Sequence, residues 1–312
     1  MEQALDMIYA LEKAIIINEK IIRERVYREE KYNISEGINQ WKAIKKNLTH
    51  NALDLYQMRF SHEKNNLLEN YKDLRDSFFE TFDNLNHKDR KINLLSLLND
   101  CFRLIKAKVL KIDATLELYK FGIQNNLLLS RGKITVHQFV TIIMASNYKG
   151  DFEYSKFFLA NYTDKLNQNI QHDANAWATA HIFYWMEDLD KSLDILINHS
   201  FTLQFFQQIS KALTTQIYFD MYLKDDSYET LLYNHLNAFE KWITREKVRS
   251  KILKSSFLRF IQLTRRIAKY HSDPNTQVNK VSKILETENN IQAAEWLRSK
   301  LNFIIKHRGR NN

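Results

Sequence analysis

The chain has 312 residues and a net charge of +9, with only five Gly and one Pro, where average usage would supply about 22 Gly and 16 Pro. Glycine-rich phosphate loops, tight β-hairpins and dinucleotide crossovers all need residues this chain barely contains, so composition predicts an all-α protein. A single Cys101 argues against an internal disulfide or a cysteine zinc cluster. No stretch reaches the roughly 18 apolar residues that span a bilayer. The start MEQALDMIYALEKAIIINEK puts acids where a secretory signal carries positive charge, and the expectation is a soluble cytoplasmic protein.

Residues 2–33 read as one long helix with Leu5, Ile8, Leu11, Ile15, Ile22 and Val26 as its core stripe, widened by Ile16, Ile17 and Ile21. Glu19 with Arg23 and Glu24 with Arg28 stand at the supportive i,i+4 spacing. Residues 33–37 read as a turn, after which Trp41 and Ile44 anchor a shorter helix. Another long pattern runs from Asn51 to Leu85, followed by helices over Arg90 to Val109 and Asp113 to Asn125. Ser130-Arg131-Gly132-Lys133 is the clearest break, which makes residues 1–130 an N-terminal long-helix region. Thr135 with Gln138 three residues on fits a capping box, and Gly150 suits a helix end.

The stretch Asp173 to Ser200 reads as two helices packed back to back. The first runs from Ala174 to Glu187 with Asp173 as its N-cap, and the second from Asp190 to Ile197. Its acidic turn recurs: Gly150-Asp151-Phe152-Glu153, Asp188-Leu189-Asp190 and Asp226-Ser227-Tyr228-Glu229 carry one apolar residue each, Phe152, Leu189 and Tyr228, spaced by 37 and 39 residues. Such spacing lies in the window of about 20–50 residues that signals stacked repeats. Ala180 stands where a small residue lets two helices approach, Phe183 where a ring packs, and Ser192 with Leu196 fits the pair A-x3-F, so this unit resembles a tetratricopeptide repeat. It departs from that pattern at Thr179 and Trp177 and has no closing Pro. Together with LYKFGIQNNLLL at 118–129 and Ala294-Glu295-Trp296-Leu297, the chain is similar to bacterial helical-repeat proteins. The resemblance implies an all-α superhelical array of antiparallel helix pairs, with repeats over 131–272 and capping helices over 273–312.

Further along, helices are expected over Phe201 to Leu223, Tyr228 to Trp242 and Arg245 to Tyr270. Pro274 should sit at the first position of the next helix behind an Asp273 N-cap, and Gly309 should end the last one.

The ten histidines include no H-E-x-x-H pair, and His62-Glu63 has no partner one turn away, so no metal and no cofactor are expected. No nucleophile motif is present, and the expectation is a non-enzymatic scaffold for a protein or peptide partner. The candidate partner-binding residues are Trp177, His181, Tyr184 and Trp185. Residues four apart share a helical face, and in tetratricopeptide arrays the first helix of each pair lines the inner curve. The competing reading is that neighbouring long helices bury these rings as core. A nucleic-acid alternative rests on Lys247, Arg249, Lys251, Lys254, Arg259, Arg265, Arg266 and Lys269 along one helix. Net charge is uneven: residues 101–150 carry +6, residues 151–200 carry −5 and residues 251–312 carry +9.

Overall fold

A computed structural model describes residues 2–27, 31–61, 67–246, 250–273 and 278–308. These form fifteen α-helices and four short 3-10 turns, with no β-strand among the described residues. They divide into two compact units, Met1–Arg131 and Gly132–Asn312.

The first unit holds α1 (Glu2–Tyr27), α2 (Ile34–Lys45), α3 (Asn51–Ser61), α4 (Leu67–Thr81), α5 (His87–Lys106) and α6 (Leu116–Gln124). The buried face of α1 differs from the stripe expected for it. Ala10, Ala14 and Ile17 are buried with Trp41, Leu53 and Tyr56, whereas Leu5 and Ile8 are 63% and 59% exposed. The two alanines let α2 come close enough for Trp41 Nε1 to donate to the Ala10 carbonyl at 2.9 Å, and that contact decides which of several apolar faces turns inward. The stretch read as a turn at 33–37 opens α2, with the Asn33 side chain accepting from Glu36 N. The single long helix expected over 51–85 is represented by α3 and α4. Residues 62–66, which include His62 and Glu63, lie outside the described residues, as do Arg28, Pro274 and Gly309 and the side chain of Val26.

The second unit holds α7 (Val136–Lys149), α8 (Phe152–Tyr162), α9 (Gln168–Trp185), α10 (Leu189–Asn198), α11 (Gln204–Lys224), α12 (Glu229–Arg245), α13 (Lys251–Ser272), α14 (Val278–Thr287) and α15 (Ala294–Arg308). Local sequence sets several boundaries. Thr135 and Gln138 form the capping box of α7, Gly150 ends it at φ +80°, and Asp151 and Asp188 cap α8 and α10 through their side chains. Each odd-numbered helix from α7 packs on the next odd-numbered helix, α7 on α9, α9 on α11, α11 on α13 and α13 on α15, and each also contacts the even-numbered helix that follows it. Ser192 is fully buried where α10 crosses α9, its hydroxyl donating to the Ala180 carbonyl at 2.7 Å. Ala180 and Ser192 are therefore the small residues that permit close approach of the two helices.

Asp173 does not begin a helix, because α9 starts five residues earlier at Gln168. Its carboxylate is buried inside α9 and accepts from Thr202 N at 3.0 Å, Leu203 N at 2.9 Å, Thr202 Oγ1 at 3.2 Å and His199 Nε2 at 2.9 Å. It thus satisfies backbone donors at the entry to α11 from a different helix, the task a local N-cap performs elsewhere. Burial pushes its pKa up, but these donors outweigh burial and hold it below the usual value.

Candidate functional site

The aromatic stripe of α9 was the first candidate. Trp177, His181 and Tyr184 are 2%, 7% and 7% exposed, and Trp185 is half-buried. An open lining is thereby corrected to core: α7 and α11 pack on α9, and Phe206 of α11 lies 6.4 Å from the Trp177 ring. The Trp177 and His181 rings sit 4.9 Å apart, and Tyr148 of α7 meets Trp185 edge-on at 5.4 Å.

His181 is locked by its neighbours. Trp185 Nε1 donates to His181 Nε2 at 3.3 Å, and the Asn147 amide lies 2.8 Å from His181 Nδ1. Burial lowers the pKa of this ring to about 3, so it is neutral at physiological pH and carries one N–H. The Asn147 carbonyl oxygen accepts from the Ser155 hydroxyl at 2.6 Å, which turns the amide nitrogen of Asn147 toward His181 Nδ1. The arrangement ties α7, α8 and α9 together and leaves His181 no lone pair for a ligand.

At the other end of the stripe a polar chain crosses the unit. Trp296 Nε1 of α15 donates to Tyr184 Oη at 2.8 Å, and Tyr184 Oη donates to Asp220 Oδ2 of α11 at 2.8 Å. Lys300 Nζ of α15 stands 2.5 Å from Asp220 Oδ1, an ionic contact rather than an aligned hydrogen bond. Burial and the neighbouring Asp220 carboxylate push the Tyr184 hydroxyl well above its ordinary pKa. Burial also raises Asp220, against the lowering effect of Lys300. The Trp296 ring meets Phe219 of α11 edge-on at 5.2 Å and lies 5.9 Å from Phe260 of α13. One side chain of the last helix thus touches α9, α11 and α13.

Asp220, Trp296 and Lys300 were not among the residues singled out from sequence as a site. The available signals were an acid between Phe219 and Met221 in an apolar helix, and a Trp and Lys four residues apart in a terminal one.

The basic helix is α13. Lys247 and Arg249 lie outside the described residues. Lys254 Nζ reaches the Thr244 carbonyl at 2.5 Å, Arg259 pairs with Glu288, and Arg265 pairs with Glu240 at 2.6 Å and donates to Asn237 at 2.8 Å. These cations cap α12 or neutralise acids on α12 and beyond α14. Lys251, Arg266 and Lys269 are exposed, while Phe257 and Phe260 are buried and unavailable for stacking on bases.

Among the described residues no group of three or more His, Cys, Asp or Glu is placed to hold a metal ion, and no helix is long and apolar enough to cross a membrane. Cys101 is buried, and burial raises its thiol to about 11, far from a nucleophile's range. Comparison with family models, curated proteins and solved structures finds no match to the chain.

Proposed function

We propose that the second unit is a tetratricopeptide-like array of helix pairs that acts in the cytoplasm as a protein-interaction scaffold and catalyses no reaction. The supporting observation is the order of packing: α7, α9, α11 and α13 follow one another side by side, with α8, α10 and α12 between them in sequence and in contact with both neighbours. Stacked α-hairpins are built in this way, each burying what its neighbour leaves exposed. A face made of several first helices presents side chains from several repeats to one partner. Tyr184, Phe219, Asp220 and Phe260 come from three successive first helices and together line a face that α15 covers.

The test is capture of partners from lysate on the immobilised chain, with and without nuclease. The scaffold reading expects protein capture that survives nuclease and falls in a folded Asp220→Lys chain. Capture that disappears with nuclease, and in Arg266→Glu with Lys269→Glu, would replace it with nucleic-acid binding through α13.

A further inference from the structure

We infer that α15 is a ligand held in cis: it occupies a helix-binding face formed by α9, α11 and α13, and the occupant this face takes in trans is an amphipathic helix of a partner protein carrying a tryptophan with a lysine one turn later. The inference rests on the scaffold reading and gives that scaffold its partner chemistry.

The polar chain across this face has four members, and α15 supplies the first and the last. Trp296 N–H donates to Tyr184, Tyr184 donates to Asp220, and Lys300 neutralises Asp220. The array contributes only the middle: a phenol oxygen with an open lone pair and a buried carboxylate with a neutral donor. Without α15, Tyr184 Oη would lack its donor and Asp220 its contacting cation, leaving only the weaker field of Lys224 one turn along α11, and buried groups left so are costly. The face therefore specifies its ligand as one neutral N–H donor on a large ring and one cation. Residues four apart on a helix present those groups side by side, as Trp296 and Lys300 do. Phe219 and Phe260 frame the ring, and Leu297, Leu301 and Ile304 on the same helix are buried in the cluster that includes both of them. A central aromatic anchor within an apolar setting, flanked by one charge pair, is the usual make-up of a helix-in-groove contact.

Two features favour exchange of this helix. It follows a short connection from α14, and Ala293 immediately before it is held at φ +51°, a left-handed backbone that alanine adopts reluctantly and would leave on undocking. Docking in cis also acts like a competitor at an effective concentration on the order of millimolar, which masks the face from a free helix.

The experiment uses the purified full chain and a fluorescein-labelled synthetic peptide of residues 290–308, read by anisotropy. The wild-type chain should bind this peptide weakly. A Trp296→Ala chain, whose cis helix has lost its anchor, should bind it at least about tenfold more tightly, and the same peptide with its Trp replaced by Ala should bind neither chain. If Trp296→Ala does not fold by circular dichroism, Lys300→Ala replaces it, with a gain of about thirtyfold expected for loss of this largely buried charge contact. No gain in the folded variant used, or equal binding of the peptide lacking Trp, overturns the inference. So does a concentration-dependent wild-type dimer that the peptide dissociates, since a second copy would then be the occupant. Peptide failure beside nuclease-resistant capture sinks this face and leaves a scaffold. Peptide success beside nuclease-sensitive capture does the reverse.

Discussion

Replacing Lys300 by Met keeps most of the aliphatic volume of the side chain and removes its charge, which isolates what the ion pair contributes. Breaking a buried pair by deleting one partner costs about 3–5 kcal/mol when the remaining charge is uncompensated. Here Asp220 is 12% and Lys300 24% exposed by side chain, so water reaches the site in part and Tyr184 still donates to the carboxylate. About 2 kcal/mol is the expected loss at pH 7.5. The pH dependence follows from Asp220. Burial already raises its folded pKa above the ordinary value, and removing Lys300 raises it further. The folded protein then binds this proton more tightly than the unfolded chain does. The cost of the buried charge is therefore absent below the ordinary carboxylate range and grows as pH rises through the folded value. Urea unfolding followed by circular dichroism, run on wild type and Lys300→Met from pH 7.5 down to pH 4, should show the difference between the two proteins shrinking on acidification. Adding Asp220→Asn should recover much of the loss. A difference under about 0.5 kcal/mol at pH 7.5, or one that is flat with pH, would refute the account of this pair.

Further outcomes are expected at four positions. Ser192→Ala should cost about 1 kcal/mol or less in urea unfolding, since the Ala180 carbonyl keeps a helical partner, whereas Ser192→Leu should cost about 1–3 kcal/mol or more by forcing α9 and α10 apart. Gly37→Ala should stabilise by up to about 1 kcal/mol, because a new Cβ meets Ile17 only at 3.6 Å and α2 gains helix propensity. Gly122→Ala should instead lower the melting temperature, its Cβ falling 2.6 Å from Leu94 Cδ2 and 2.8 Å from Leu128 Cγ. His181 titrates at about 3 when folded and near the ordinary value of 6.5 when unfolded, so stability falls as pH drops through that window. In His181→Gln, the slope of unfolding free energy between pH 6 and 4 should be shallower by about 1.4 kcal/mol per pH unit; an unchanged slope would place the acid sensitivity elsewhere.

What the sequence made legible was local chemistry. The scarcity of Gly and Pro pointed to an all-helical chain, and Thr135, Gly150 and Asp188 mark helix ends because caps act within a few residues of themselves. What it concealed depends on long-range packing. Spacing put Trp177, His181 and Trp185 on one face of α9 but could not say whether that face met solvent or Asn147 and Phe206. The helix α1 is apolar on more than one side, and only the approach of Trp41 to Ala10 chose among them. Asp173 has the composition of an N-cap and polar residues before it, yet those residues continue the helix and its acceptors serve residues 202 and 203. Asp220 and Lys300 are separated by 80 positions, and nothing local in either announces the other.

The charge blocks carry the same lesson further. A cluster of +9 over residues 251–312 suggests a field directed at outside anions. Within the fold, Arg259 is bound to Glu288, Arg265 to Glu240, Lys254 to the carbonyl end of α12, Arg298 to Glu295 and Lys300 to Asp220. Two of these pairs, Arg265–Glu240 and Lys300–Asp220, reach acids outside the block, join α13 to α12 and α15 to α11, and bring its net charge from +9 to +7. Its long-range effect is smaller than the tally implies, because a paired charge projects a dipole and salt screens even that within about 10 Å. Lys300 shows the difference between the two uses of a cation: in an exposed position it would add one unit to a diffuse field, whereas against Asp220 it decides where the last helix sits.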